Sequence, residues 1–148
     1  LSITSTSFSV LVIVSFTAIL QLFKLQLEGE RAKRDELQAY TLLAESLEAT
    51  RAIRDHAWSN LSGLTLGADY YPVTSLGAWT LTLTDPGPID GFTRWIVFNS
   101  VRRDGNDDIV SVGGTVDSGT LLVTAYIQWA SQGSTKTRNI TTYLTDWQ

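Results

Sequence analysis

One spacing in this chain has the look of a metal site. In Asp104-x-Asn106-x-Asp108, oxygen ligands fall at positions 1, 3 and 5, as at the start of a calcium loop. The rest of such a loop is missing: Ile109 stands where an EF-hand needs glycine, and no Glu closes it. Turn chemistry alone accounts for Asp, Gly and Asn here. The expectation is therefore no cofactor and no metal, with Asp104, Asn106 and Asp108 as the weak calcium candidate. His56 is the only histidine. Beside Asp55 it reads as a helix-end feature, where a cation suits the carbonyl terminus. The absence of cysteine excludes a thiolate nucleophile, a disulfide framework and a zinc cluster. Gly113-Gly114 lacks the Lys-Ser/Thr of a phosphate loop. Asn60-Leu61-Ser62 and Asn139-Ile140-Thr141 match the N-glycosylation pattern, which is common by chance. No catalytic constellation is present, so an enzyme is not expected.

Fifteen acids and 11 bases give a net charge of −4. No basic stripe tracks a phosphate backbone, so nucleic acid is not expected as a primary ligand; Arg94, Arg102 and Arg103 are the one place for a local basic face. The charges are unevenly spread. Residues 1–23 contain none, and Lys24 is the first. That run spans roughly 35 Å as a helix, close to the ~30 Å of a bilayer core. Its Ser and Thr residues are tolerated because their hydroxyls can bond back to preceding carbonyls. A signal peptide fits poorly: no Lys or Arg precedes the run and no small-residue cleavage site ends it. The lack of Met, even at position 1, predicts a processed end.

Beyond Lys24 the pattern stays helical. Glu28 with Arg31, Glu30 with Arg34, Arg31 with Asp35 and Glu48 with Arg51 are spaced for ion pairs, each adding only tenths of a kcal/mol. Gly29 is the weak point, at about 1 kcal/mol against Ala. Leu37, Tyr40, Ala44, Leu47 and Ile53 or Arg54 form an apolar stripe, predicted to pack on the rest of the protein. No proline occurs before Pro72. A helix over about 3–55 would be roughly 80 Å long, whereas the remaining chain makes a domain only about 30 Å across. Such a domain can cover the half from Glu28 onward and leaves the uncharged half bare.

After Pro72 the period changes to two. Trp79, Leu81 and Leu83 alternate with Thr80, Thr82 and Thr84, a half-buried strand ended by Asp85-Pro86-Gly87-Pro88. Residues 92–101 are apolar on both faces, which predicts a central strand. Residues 109–112 suggest a short one. Residues 120–129 and 135–147 are the longest, joined by the hairpin loop Ser131-Gln132-Gly133-Ser134. The fold class is thus α+β: a long N-terminal helix on a C-terminal antiparallel sheet. The divisions are an apolar stalk at 1–27, an amphipathic half at 28–56, a connecting loop at 57–76 and the sheet domain at 77–148. Most of the five Trp residues should fill the helix–sheet core.

This layout resembles a mature type IV pilin over the whole chain. Ala44-Glu45-Ser46-Leu47-Glu48-Ala49-Thr50-Arg51-Ala52-Ile53-Arg54-Asp55, followed by Trp58-Ser59-Asn60-Leu61, looks like the helix end of prepilin-like proteins from ultrasmall, host-attached bacteria. Val123-Thr124-Ala125-Tyr126-Ile127-Gln128-Trp129 and Thr141-Thr142-Tyr143-Leu144-Thr145-Asp146-Trp147 look like their last two strands. The resemblance implies a prepilin peptidase that exposes Leu1 as a new, N-methylated end, and an assembly ATPase that draws subunits from the cytoplasmic membrane into an extracellular surface filament. It implies a homopolymer with Leu1, Ser5, Phe8, Val12, Phe16, Ile19, Leu20, Phe23 and Leu27 in its core, serving adhesion, twitching motility or uptake, with a host-cell surface as a further partner. Three positions depart from the family. Ser5 stands where most members have glutamate, Leu22 where many have proline, and the C-terminal Cys pair is absent. A minor pilin or secretion pseudopilin is the alternative within the superfamily. A single-pass, membrane-anchored binding module is the alternative outside it.

Overall fold

The computed structural model describes the backbone of residues 3–146, together with the side chains of residue 10 and residues 12–146. The elements run α1 (Ile3–His56), α2 (Ser59–Ser62), β1 (Asp69–Ser75), β2 (Ala78–Thr82), β3 (Phe92–Arg103), β4 (Ile109–Val110), β5 (Thr115–Ser131) and β6 (Ser134–Thr145). The chain divides into two units, one ending at Leu37 and one beginning at Gln38.

The first unit is helix throughout its described length. Thr17 shows how a hydroxyl is accommodated in an apolar run: its Oγ1 donates to the carbonyls of Ile13 and Val14, at 3.1 and 2.9 Å. Past the uncharged run, Lys24 pairs with Glu28 at 3.8 Å and Lys33 with Glu30 at 4.0 Å. Of the pairs predicted from spacing, Glu48–Arg51 forms, in the second unit.

In the second unit, residues 38–56 of α1 pack on one face of the sheet. The buried helix positions are Ala39, Leu43, Ser46, Leu47, Ala49, Thr50 and Ile53. This corrects the predicted stripe. Leu47 and Ile53 are buried, but Leu37 (70% exposed), Tyr40 and Ala44 face water. The largest side chains set the predicted phase, whereas the packed face combines Leu43, Leu47 and Ile53 with small residues. Small helix residues leave room for the sheet's larger ones: Phe98, Ile96, Ile127 and Val123 are fully buried. The two hydroxyls on that face are satisfied locally. Ser46 donates to the Leu42 carbonyl and Thr50 to the Ser46 carbonyl, both at 2.8 Å, so their burial leaves no orphan polar group.

The sheet order is β2-β1-β3-β5-β6, with β4 also on β3, and every pairing is antiparallel. β3 lies between β1 and β5, as its two apolar faces predict. Ser131 and Ser134 face each other across Gln132-Gly133, the expected hairpin. The predicted connecting loop at 57–76 is corrected: it holds the one-turn α2 and the whole of β1, so the sheet begins at Asp69, not 77. Pro72 hid the strand. It sits opposite Leu81 of β2, while pairing of β1 with β3 stops at Tyr70. The missing N–H therefore falls on the side where the ladder has already ended, one of the few strand sites a proline accepts.

Between Ser100 and Val101 the β3 partner jumps from Leu121 to Asp117, which leaves residues 118–120 of β5 without a β3 partner. The irregularity bends β5 and carries Asp117, Gly119 and Thr120 toward Arg103.

The corrected helix phase has a direct consequence. Leu43→Ala should cost about 2–5 kcal/mol by opening a core cavity, while Leu37→Ala should stay within about 0.5 kcal/mol. Denaturant unfolding of the two variants checks this, and equal losses would restore the original phase.

Candidate functional site

The segment from Val10 to Leu27 presents apolar side chains on every side of the helix. Val10, Val12, Ile13, Val14, Phe16, Ile19, Leu20, Leu22, Phe23, Leu25 and Leu27 are between 49% and 64% exposed. At 100° per residue these positions sweep the full circle, so no polar face exists. By length and composition the helix can cross a membrane. Of the residues predicted here, Val12, Phe16, Ile19, Leu20, Phe23 and Leu27 are exposed. Leu1 lies outside the described residues, as do the side chains of Ser5 and Phe8. Such a surface can do one thing chemically, which is to exchange water for other apolar groups.

The three arginines considered for a basic face are each engaged within the head. Arg94 points inward, its side chain only 7% exposed, and binds Glu45 of the helix. Its Nη2 donates to Glu45 Oε1 at 3.0 Å, and the guanidinium stacks over Trp79 at 5.7 Å from the ring centroid. This pair ties helix to sheet, 49 residues apart in sequence. Arg102 closes the β4 excursion, with Nε and Nη2 donating to the carbonyls of Gly113 and Gly114 at 2.6 and 2.7 Å. Gly114 is required there: φ is +64°, and a Cβ would lie 2.4 Å from the Arg103 carbonyl oxygen.

Arg103 is the centre of a small network. Its Nε donates to Asp117 Oδ2 at 2.7 Å and its Nη1 to the Asp107 carbonyl at 2.8 Å. Asp117 also accepts from the Thr120 hydroxyl at 2.5 Å and the Gly119 N–H at 2.9 Å. Arg103 first, then these two donors, lower the Asp117 pKa to about 2.

The calcium spacing resolves into a turn. Asp104 Oδ1 accepts from the N–H groups of Asn106 and Asp108 at 2.9 and 3.1 Å, a turn held by its own side chain. Among the described residues, no group of three or more His, Cys, Asp or Glu converges as a metal site. His56 is exposed at the end of α1. Asn60 Nδ2 donates to the Ile53 carbonyl at 3.4 Å, helping to close that helix end.

Trp129 is buried, and Trp58 and Trp79 pack against the core. Trp95 is elsewhere. It stands on the opposite face of the sheet, stacked on Tyr126 with centroids 5.2 Å apart and planes 7° apart. Trp147 lies outside the described residues. On β1, burial first and then Asp85 and Asp69 raise the Tyr71 pKa; Asp69 opens β1 and Asp85 follows β2, at the base of the β1–β2 hairpin.

Two features escaped the sequence reading. The Arg94–Glu45 pair had no local signal. The β1–β2 turn, Leu76-Gly77, was hidden because a leucine occupies a position that usually announces itself as Asn or Asp.

No protein-family model matches this chain, and no curated protein and no solved structure does so either.

The Asp117 network predicts an acid-sensitive head. A carboxylate whose pKa is lowered by folding stabilises above its unfolded pKa near 4, and that contribution fades as pH falls toward about 2. Asp117→Asn should lower stability by about 1 kcal/mol at pH 7, after allowance for solvent screening, and by less at pH 3. Thermal melts at the two pH values check this; an equal loss at both would contradict it.

Proposed function

We propose that this protein is a structural subunit of the type IV pilin kind, polymerising through its N-terminal apolar helix into a helical filament on the cell surface. The observation that carries the reading is the all-round exposure of large apolar side chains from Val10 to Leu27. A surface of that kind needs either lipid or other apolar helices around it, and this reading supplies both in turn. Before assembly the helix is long and apolar enough to sit in a bilayer. After assembly it packs with its copies.

Burying each large side chain from water is worth about 1.5–3 kcal/mol. Lipid already provides most of that, so the net gain of assembly must come from close packing between helices. A prepilin peptidase and an assembly ATPase are the partners this reading implies, and adhesion, twitching motility or uptake are the tasks such filaments serve. The α+β layout, with a helix packed on an antiparallel sheet, supports it as well. Its active surface is apolar, and its role is structural, not catalytic.

A second reading has its own observation. The Trp95–Tyr126 face of the sheet is opposite the helix, which suits a single-pass anchored module that binds a ligand there. That reading expects single molecules in the membrane and no polymer.

The test is a charge within the apolar helix. Phe16→Asp or Ile19→Lys in the full chain should abolish filaments counted by electron microscopy, while the unfolding transition of the head stays unchanged. Normal filament numbers from either variant would overturn the proposal.

A further inference from the structure

The β1–β2 hairpin carries two unfavourable features that the head itself does not need. Its two-residue loop has positive φ at both central positions, 51° at Leu76 and 80° at Gly77, with Ser75 facing Ala78. This is the type I′ geometry, in which the first central position suits Asn, Asp or Gly. A Cβ is strained there, and a short polar side chain offsets the strain by bonding locally. Among the described residues, the other non-glycine positive-φ positions are Asp90, Asp107 and Gln132, all polar. Leu76 is the apolar one, and its side chain is fully exposed.

The surroundings are as unusual as the turn. Residues 70–84 contain no charge. Leu83, just past β2, is also exposed, and Trp79 and Leu81 are only partly buried. A strained turn that holds an apolar side chain in water, on a charge-free hairpin, is the pattern of a contact residue.

We propose that the Leu76 turn is the point at which the head of one subunit docks on the apolar helix of a second copy of this chain. The inference rests on the polymer reading above and names the head surface that reading lacks. Charge chooses the partner. The helix is charge-free up to Phe23, so burying the hairpin against it strands no ion on either side. The hairpin's base carries Asp69 and Asp85, and the first charge the helix offers is Lys24, which lies 3.8 Å from Glu28 of its own helix and keeps 76% of its side chain exposed. A lipid surface is the poorer match: anionic headgroups attract Lys and Arg, and this hairpin is flanked by carboxylates. The contact joins two different surfaces of the same chain. It is therefore heterologous and propagates, where a two-fold contact would close on itself.

Leu76→Asn separates docking from folding. Asn suits the I′ turn, so the thermal midpoint of the full-length protein should stay level or rise. The concentration needed for filament assembly should rise about tenfold or more, the scale set by one buried leucine side chain. The contact can be read directly, because the chain has no cysteine. Leu76→Cys carrying a benzophenone should crosslink, in assembled filaments, to residues 10–27 of another copy. Leu76→Asn filaments that assemble at the unaltered concentration overturn the inference and leave the polymer reading intact. So do filaments whose label reaches only lipid or another head. An unaltered chain that forms no filaments overturns the polymer reading, and this inference with it.

Discussion

Water is a poor solvent for an apolar cylinder, and the N-terminal helix is one along much of its length. From Val10 to Leu27 the helix exposes valine, isoleucine, leucine and phenylalanine on all sides. An amphipathic helix could turn one stripe to its own protein and the other to water, but this segment has no second face to turn. In the polymer reading its cover comes first from lipid and then from other copies. That demand ends between Lys24, the first charge, and Leu27, the last large apolar side chain of the run. Beyond it, Lys24–Glu28 and Glu30–Lys33 ion pairs line a surface that water solvates well.

From Gln38 onward the same helix has a different solvent, the sheet. Its packed face alternates aliphatic residues with small and hydroxylated ones. Ser46 and Thr50 are buried without penalty because each bonds to a carbonyl one turn back. Arg94 adds a directional contact to this otherwise nondirectional packing, since its buried guanidinium has to meet Glu45. Removing either partner would leave the other poorly compensated, Arg94 most of all because it is the more buried. The head is thus keyed to one rotation of the helix about its axis. At the far edge, Arg102 and Arg103 organise the β4 excursion through carbonyls and Asp117. Several charges of the head hold its own loops.

Much of this was legible in the residues. The charge-free run and the lack of proline before Pro72 specify one long helix, and the period-two segments specify the strands of an antiparallel sheet. What was not legible has physical causes. The helix stripe was read from Leu37 and Tyr40, yet buried faces against a sheet of large residues favour small ones, so Ala39 and Ala49 give a weaker signal than they deserve. β1 was read as loop because Pro72 breaks most strands, and its acceptability depends on where pairing with β3 stops. Arg94 sits on a strand, where either face is open to it, and its partner is 49 residues away. The aspartates at 104 and 108 could have been ligands or turn residues by spacing alone. The N–H groups gathered on Asp104 Oδ1 show its part in the turn.

In the polymer reading, copies of this chain cover one another's apolar helices. Electron cryo-microscopy of full-length protein, released from detergent and imaged at filament-forming concentration, tests it most directly. The expected result is a helical assembly in which residues 10–27 of each subunit lie in a shared core, in contact with the same segment of neighbouring copies. Single subunits, each with its helix surrounded only by lipid or detergent at every concentration, would contradict it.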